Sequence, residues 1–362
     1  MTQTLILNGK FLMAPPTGVH RVAEELIHGL DQLLQEDAEL QARFQIEVFA
    51  PKKLHHKLDL KKIAFRQGGM FSWIPWEQID LPNYRPREMR ISLCNLGPVA
   101  SRNAMTMIHD AQVYISPESY SLPFRSWYRI MLPLLGKRHK RILTVSDFSR
   151  QQLVAYKVAK PEHISVIRNG VDHILRIVPD KTAPERLGLR KRGYVLSLAN
   201  IQAHKNIRIL LQAFQSAELT DLKLVLYGSA DKSELESLLG APLPANVIVA
   251  GRVSDPELRG LIEDALCLAF PSTTEGFGLP PLEAMLLGCP TIVAPRGALP
   301  EVCANSAIYA DPHDAGDWVA RIKYLHDNED AWADWSRKAQ EQARPFTWKR
   351  AARQLLELVQ GS

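Results

Sequence analysis

Short apolar, β-branched runs alternate with longer helical patterns along the whole chain. In the first half the runs at 4–8, 45–50, 91–94, 104–108, 141–145 and 164–167 read as strands. Helical periodicity fills 17–34, 126–136 and 147–156 between them. A second series opens at Tyr194-Val195-Leu196-Ser197-Leu198, with further strands near 222–227, 246–249, 266–270, 291–294 and 307–309. Its helices fall near 205–216, 255–263, 281–287 and 314–326. Strands separated by helices of this length predict parallel sheets with crossover helices, one doubly wound α/β sheet per half.

The alternation breaks in a stretch carrying Pro179, Pro184, Gly188 and a run of Lys and Arg. The organisation predicted is a Rossmann-like N-terminal domain over 1–175, a linker over 176–193 and a second Rossmann-like domain over 194–345. The segment 346–362 holds a helix, Trp348 to Val359, that has no strand left to pair with in its own domain. It is expected to cross back and brace the first. A chain of 362 residues exceeds the usual single-domain size, which also favours two domains of similar size.

The formal charge of +5 favours an anionic ligand or an anionic membrane face and does not point to nucleic acid. Four cysteines, Cys94, Cys267, Cys289 and Cys303, form no C-x-x-C pair and sit in or beside apolar runs, so they read as reduced core thiols. The first residues lack the basic region and cleavage site of a secretory signal. No run approaches the ~18 apolar residues a membrane span needs. A cytoplasmic protein not integral to a membrane is expected. There is no D-x-D and no His/Cys cluster with metal-ligand spacing, so no metal or other cofactor is implied.

The most informative stretch runs Pro271-Ser272-Thr273-Thr274-Glu275-Gly276-Phe277-Gly278-Leu279-Pro280-Pro281-Leu282-Glu283-Ala284-Met285. It follows a predicted strand and leads into a predicted helix. Gly276 and Gly278 let backbone amides approach a ligand. Pro280 and Pro281 suit the first helical position, where no donor is lost. A glycine-rich loop feeding a helix N-terminus favours a phosphate. Two glutamates eight residues apart, Glu275 and Glu283, frame it, and a carboxylate that accepts two hydroxyls suits a sugar ring or a ribose diol.

This stretch resembles the E-x7-E signature of retaining glycosyltransferases of the GT-B fold, family 4 in particular. Other landmarks follow in the family's order: Gly18 in an early loop, His109-Asp110, Val145-Ser146-Asp147-Phe148-Ser149, Asn169-Gly170-Val171-Asp172 and Lys205-Asn206. The resemblance implies two Rossmann-like domains facing across a cleft. It implies that Glu275 binds hydroxyls of the donor sugar, with the amides of Gly276, Phe277 and Gly278, and Leu279 beside them, near the sugar and diphosphate. Glu283 would bind the ribose, Lys205 the diphosphate, His109 the donor sugar, and Gly18 would admit the phosphates. Plainer alternatives are Lys205 as a solvated lysine and His109 as a satisfied core histidine, and Asp110 is expected to fix its loop rather than act in chemistry.

In one respect the chain departs from the pattern. Many relatives place an arginine soon after the strand before the lysine, whereas here the stretch reads Ser197-Leu198-Ala199-Asn200-Ile201-Gln202-Ala203-His204-Lys205. Arg252 is the candidate second cation. The family reading is a front-face substitution in which the departing diphosphate helps to deprotonate the acceptor hydroxyl, with no carboxylate nucleophile.

An oxidoreductase is disfavoured because no G-x-G-x-x-G opens a helix. A sugar-nucleotide epimerase, a phosphorylase and a silent nucleotide-sugar-binding protein remain open. The arrangement Asn8-Gly9-Lys10-Phe11 and Thr17-Gly18-Val19-His20-Arg21 resembles mannosyltransferases of bacterial surface polysaccharide synthesis, which implies GDP-mannose ahead of UDP-glucose or dTDP-rhamnose. The acceptor implied is a glycan, lipid-linked in many similar enzymes. Lys137-Arg138-His139-Lys140-Arg141, and Lys52, Lys53, Lys57, Lys61 and Lys62 with Trp73 and Trp76, read in two ways. They form either a face for peripheral docking on anionic membrane or ordinary solvated cations.

Overall fold

A computed structural model of the chain describes residues 2–361. They fall into two compact units. One runs to Gly170 and takes up the chain again at Phe346; the other is Val171–Pro345.

The first unit holds β1 (Gln3–Asn8), β2 (Phe44–Ala50), β3 (Ala64–Gln67), β4 (Met89–Ser92), β5 (Ala104–Met107), β6 (Arg141–Thr144) and β7 (Ile164–Val166). They pair in parallel in the order β3-β2-β1-β4-β5-β6-β7. The second holds β8 (Tyr194–Ala199), β9 (Lys223–Gly228), β10 (Val247–Gly251), β11 (Cys267–Phe270), β12 (Thr291–Val293) and β13 (Ile308–Tyr309), in the parallel order β10-β9-β8-β11-β12-β13. Neighbouring strand residues point to opposite faces, so Leu5-Ile6-Leu7 and Tyr194-Val195-Leu196, all fully buried, require cover on both. Each sheet reverses its strand order once, between β1 and β4 and between β8 and β11. In open α/β sheets ligands bind outside the carboxyl ends of the strands at that reversal.

Several expectations need correction. The strand placed at 91–94 is β4, two residues earlier; Asn95 then turns the chain with φ +61. β3 was not anticipated, being a short edge strand with Arg66 and Gln67 exposed. The helix Lys232–Leu239 was also missed, although Asp231 and Glu234 form a reciprocal capping box there. Residues 176–193 are not a free linker but part of the second unit. The Asp180 amide donates to the Pro256 carbonyl at 2.9 Å, and Arg186 pairs with Asp180 at 2.9 Å and Glu257 at 2.7 Å. Ala183 and Leu189 join that unit's core.

The last helix, Trp348–Gln360, packs in the first unit along the helix Gly18–Glu36. It buries Trp348, Ala351, Ala352, Leu355, Leu356 and Val359. A Cβ at Gly29 would lie 2.7 Å from the Trp348 carbonyl oxygen, so the two backbones meet where only hydrogen fits. Lys349 pairs with Glu36 at the rim of this contact. Cys267, Cys289 and Cys303 are buried free thiols and Cys94 is partly covered; burial pushes Cys289 and Cys303 up to about 12. Among the described residues no helix is long and apolar enough to cross a membrane.

Candidate functional site

At the reversal point of the second sheet, the chain leaving β8 carries Lys205 and the chain leaving β11 carries Glu275. Lys205 Nζ lies 2.8 Å from Glu275 Oε1, with the side chains 18% and 12% exposed. The ammonium also sits 5.8 Å from the Phe270 ring centre. Lys205 is therefore not a solvated surface lysine. Three N–H groups point from its ammonium and the carboxylate takes one, so two remain for an anion, while Glu275 keeps lone pairs for hydroxyls.

Both loops are fastened to each other by their backbones. The Thr273 amide donates to the His204 carbonyl at 2.8 Å. Asn206, with φ +52, donates from Nδ2 to the carbonyls of Pro312 at 2.8 Å and Pro271 at 3.3 Å. Asparagine tolerates this left-handed backbone. On the far side the Ala298 amide donates to the Glu275 carbonyl at 3.0 Å, and Gly297, at φ +62, lies so close to the Glu275 backbone that a side chain would collide. Glu275 is thus fixed through its main chain, and its carboxylate, paired with Lys205, keeps lone pairs for a ligand.

Gly278 caps the helix Leu279–Leu286 with φ +96, and a Cβ there would meet Leu299 Cδ2 at 2.6 Å. The helix starts at Leu279, so Pro280 and Pro281 occupy its second and third positions rather than the first. No intrahelical bond is lost, because those amides lack partners in any helix. The two prolines nevertheless remove two donors from the anion-facing end. Of the predicted contacts, Leu279 and the Gly276–Gly278 loop are what the helix start can still offer, and the Phe277 side chain is buried.

Glu283 lies one turn into this helix, and its Oε1 is 3.1 Å from Nε2 of His173. His173 is 4% exposed and belongs to the turn Asp172–Arg176. That turn is itself fixed by Arg259, which donates to the carbonyls of Ile174, Leu175 and Ile177. Sequence reasoning missed His173, which is 110 positions from its partner; its only signal was its place directly after Asn169-Gly170-Val171-Asp172. Burial chiefly, and the Glu283 carboxylate after it, push the Tyr227 phenol up.

Arg252 is exposed just beyond β10 and lines a cavity of about 660 Å³ at the carboxyl ends of β9 and β10, with Gly228, Ser229, Pro244 and Gly251. The Ala230 amide at its edge donates to the Ala199 carbonyl at 3.3 Å, linking the cavity to the end of β8. In the departing stretch the Asn200 side chain accepts from the Gln202 amide at 2.8 Å and offers no cation. Among the described residues no group of His, Cys, Asp and Glu could hold a metal ion.

Gly18 and His109 lie in the first unit. Gly18 is the first residue of a helix rather than a loop residue, and nothing lies within 4 Å of where its Cβ would be. The fold does not demand glycine there. His109, 5% exposed, sets its Nε2 2.8 Å from the Leu93 carbonyl, the position of a donating N–H. Its amide donates to Asn95 Oδ1 at 2.8 Å, and Ser149 Oγ donates to its carbonyl at 2.9 Å. Burial lowers its pKa to about 4, so the ring is neutral at physiological pH. Asp110 Oδ1 accepts the Gln112 amide at 2.9 Å, the loop clamp that was expected. Trp76 is fully buried against Phe49 and is not an exposed aromatic, in contrast to Trp73. Within the basic run His139 is buried and bonded to Thr106, and Arg141 belongs to β6 and bonds Ser165.

Residues 180–342 match the family described as Glycosyl transferases group 1. The chain is 29% identical over 232 residues to O-antigen chain mannosyltransferase RfbU of Salmonella typhimurium, a match covering 64% of this chain and 63% of that protein. It is 30% identical over 370 residues to O-antigen chain mannosyltransferase B of Escherichia coli, covering 94% and 95%. The chain thus spans less than two thirds of the first of these relatives and nearly all of the second. Among solved structures it resembles sucrose-phosphate synthase from Thermosynechococcus elongatus, with a TM-score of 0.73, 16% identity and 99% and 98% of the two chains covered. It also resembles WaaG, a glycosyltransferase involved in lipopolysaccharide biosynthesis, with a TM-score of 0.70, 14% identity and 99% and 100% covered. These structural likenesses give the fold, and the fold class is GT-B.

Proposed function

Because the chain belongs to the group 1 glycosyl transferases, with homologues among O-antigen mannosyltransferases, we propose that it transfers a hexose from a nucleotide sugar to a glycan in polysaccharide assembly. The observation that carries this reading is the Lys205–Glu275 pair at the reversal point of the second sheet, an anion donor and a hydroxyl acceptor on adjoining loops.

Mannose from GDP-mannose is the first choice of donor, the mannose supported by the similarity to O-antigen mannosyltransferases; UDP-glucose and dTDP-rhamnose compete with it. Lys205 would hold the diphosphate with its remaining N–H groups, and Glu275 would take sugar hydroxyls. The loop Gly276–Gly278, Leu279 and the helix dipole would share the phosphate charge as it grows. Arg252 would supply the second cation that Asn200 to Gln202 lack. Gly18 and His109 of the first unit are proposed as further donor contacts, His109 as a neutral ring. In the transfer the bond from the anomeric carbon to the diphosphate breaks, and the acceptor oxygen bonds that carbon on the same face. The hydroxyl proton passes to the departing phosphate. Configuration would be retained without an enzyme nucleophile.

A lipid-linked acceptor at the cytoplasmic face of the membrane fits this reading, as does independence from metal. The test is a panel of GDP-mannose, UDP-glucose and dTDP-rhamnose, read by thermal stabilisation and donor turnover, with and without excess EDTA. At about 100 times the dissociation constant the true donor stabilises by roughly 2.7 kcal/mol. GDP-mannose should give the largest shift, and turnover should survive the chelator. Binding without turnover of any donor or acceptor favours a silent binding protein; activity abolished by EDTA and restored by magnesium or manganese shows a metal requirement.

Glu283 would bind the ribose, with His173 holding its carboxylate. Ribose contacts persist through the reaction, so Glu283→Ala should weaken nucleoside diphosphate binding about 10- to 100-fold and leave kcat nearly unchanged at saturation. His173→Ala should weaken binding in the same direction, and His173→Gln, which keeps a donor, should do so less. Calorimetry and a kcat-against-KM comparison check both. A large fall in kcat at unchanged affinity would mean the two glutamates exchange roles.

A further inference from the structure

The first unit exposes a run of large apolar side chains on one short segment, apart from those scattered along the helix Leu122–Arg138. Met70 is 85% exposed, Phe71 41%, Trp73 55% and Ile74 43%, all between β3 and the buried Trp76. A solvent-facing run of this kind marks an interaction surface when the protein holds it in place.

The segment is built, not loose. Asp80 Oδ2 accepts the amides of Met70 at 2.9 Å and Phe71 at 2.8 Å. The Trp76 indole donates to the Gly68 carbonyl at 2.8 Å, and Gly69 packs on Trp76 and Asp80 with no room for a side chain. Behind it Glu77 is buried and paired with Lys10 at 2.5 Å. Arg90, almost wholly buried, gathers the carbonyls of Leu81, Pro82, Tyr84, Arg85 and Glu88. On this base Trp73 adopts φ +56, a left-handed backbone unfavourable for a bulky residue, and the outcome is an indole held out in water. Backbone strain of this sort persists where surrounding structure imposes it.

Charge narrows the partner. Across 52–87 the exposed ionic side chains are Lys52, Lys53, Lys57, Lys61, Lys62, Arg66 and Arg87 against a single acid, Asp59, while the exposed Arg85 is paired with the buried Glu47 at 3.0 Å. The acids Glu77 and Asp80 are engaged inside the segment. An apolar tip with tryptophan, phenylalanine, methionine and isoleucine amid cations matches an anionic bilayer, whose interface takes aromatic rings and whose headgroups take lysine and arginine.

We propose that the tip Met70–Ile74 is an insertion loop that seats the first unit on an anionic lipid surface. It deepens the reading of a lipid-linked acceptor, yet it stands on this surface alone and is measured without donor or acceptor. The full-length protein is tested for co-sedimentation with vesicles of phosphatidylglycerol and phosphatidylcholine and with phosphatidylcholine alone. Binding is expected to the anionic vesicles, to fall with added salt, and to drop about tenfold or more in Phe71→Ser/Trp73→Asn. Asparagine keeps the left-handed backbone, so the melting temperature should hold. Brominated lipid should quench tryptophan emission of the natural protein and lose part of that effect in the variant. A control, Lys137→Ser/Arg138→Ser/Lys140→Ser, should lose less than the tip variant. The proposal is overturned if the natural protein ignores anionic vesicles, or if the tip variant binds as well as it does. Loss confined to the control, or a concentration-dependent dimer abolished by the tip variant without vesicle binding, overturns it equally.

Discussion

Glu275→Ala should lower kcat/KM for transfer by about a thousandfold or more while the protein stays folded, a loss of the size seen when a preorganised polar group at a reacting centre is removed. Its carboxylate is the hydroxyl acceptor beside Lys205, 2.8 Å away. Alanine deletes the sugar contacts and leaves the Lys205 ammonium without its orienting partner. The fold should survive, because the loop is held by the Ala298 amide and the Gly297 contact through the main chain of residue 275. The pair is mostly buried, with side chains 18% and 12% exposed, so leaving the Lys205 ammonium without its partner costs about 1–3 kcal/mol. Glu275→Gln keeps the shape but not the charge and should fall between. Transfer assays alongside thermal melts decide the matter: near-normal turnover in a folded Glu275→Ala protein removes this residue from the site.

Trp348→Ala should produce the largest loss of stability, about 3–5 kcal/mol, as truncation of a buried aromatic leaves a cavity that the core fills only in part. Trp348 is 1% exposed where the last helix meets Gly18–Glu36, beside Gly29 and Gly170. Two backbones in such contact cannot close further over the void. For a unit of this size the expected fall in melting temperature is roughly 10 °C. Calorimetry checks it; a shift of only a degree or two means the helix Trp348–Gln360 is not integral to the first unit.

Much of this was legible in the chain because the signals were local. Fully apolar strand runs, the proline-glycine frame around Glu275 and the unpaired last helix each follow from neighbouring residues. What escaped depended on distance. The His173–Glu283 pair joins a turn and a helix that only the folded second unit brings together. Whether Trp73 or Trp76 faces solvent depends on Gly69 and Asp80 fixing the segment, and nothing in the tryptophan spacing reveals it. His139, read as part of a cationic run, is buried because the helix ends one residue earlier and turns it under β5 to Thr106. Residues 176–193 carry loop-like composition yet pack on the helix Asp255–Asp264, since proline and glycine report turns and not detachment.

Hydrogen exchange with and without GDP tests most directly whether the second unit's carboxyl edge is the nucleotide site. Protection should be strongest at 200–206 and 271–285, where Lys205, Glu275, the helix start and Glu283 lie. Weaker protection is expected at 15–20 and 107–111, around Gly18 and His109. Protection centred on the first unit, with 271–285 unchanged, would contradict the assignment.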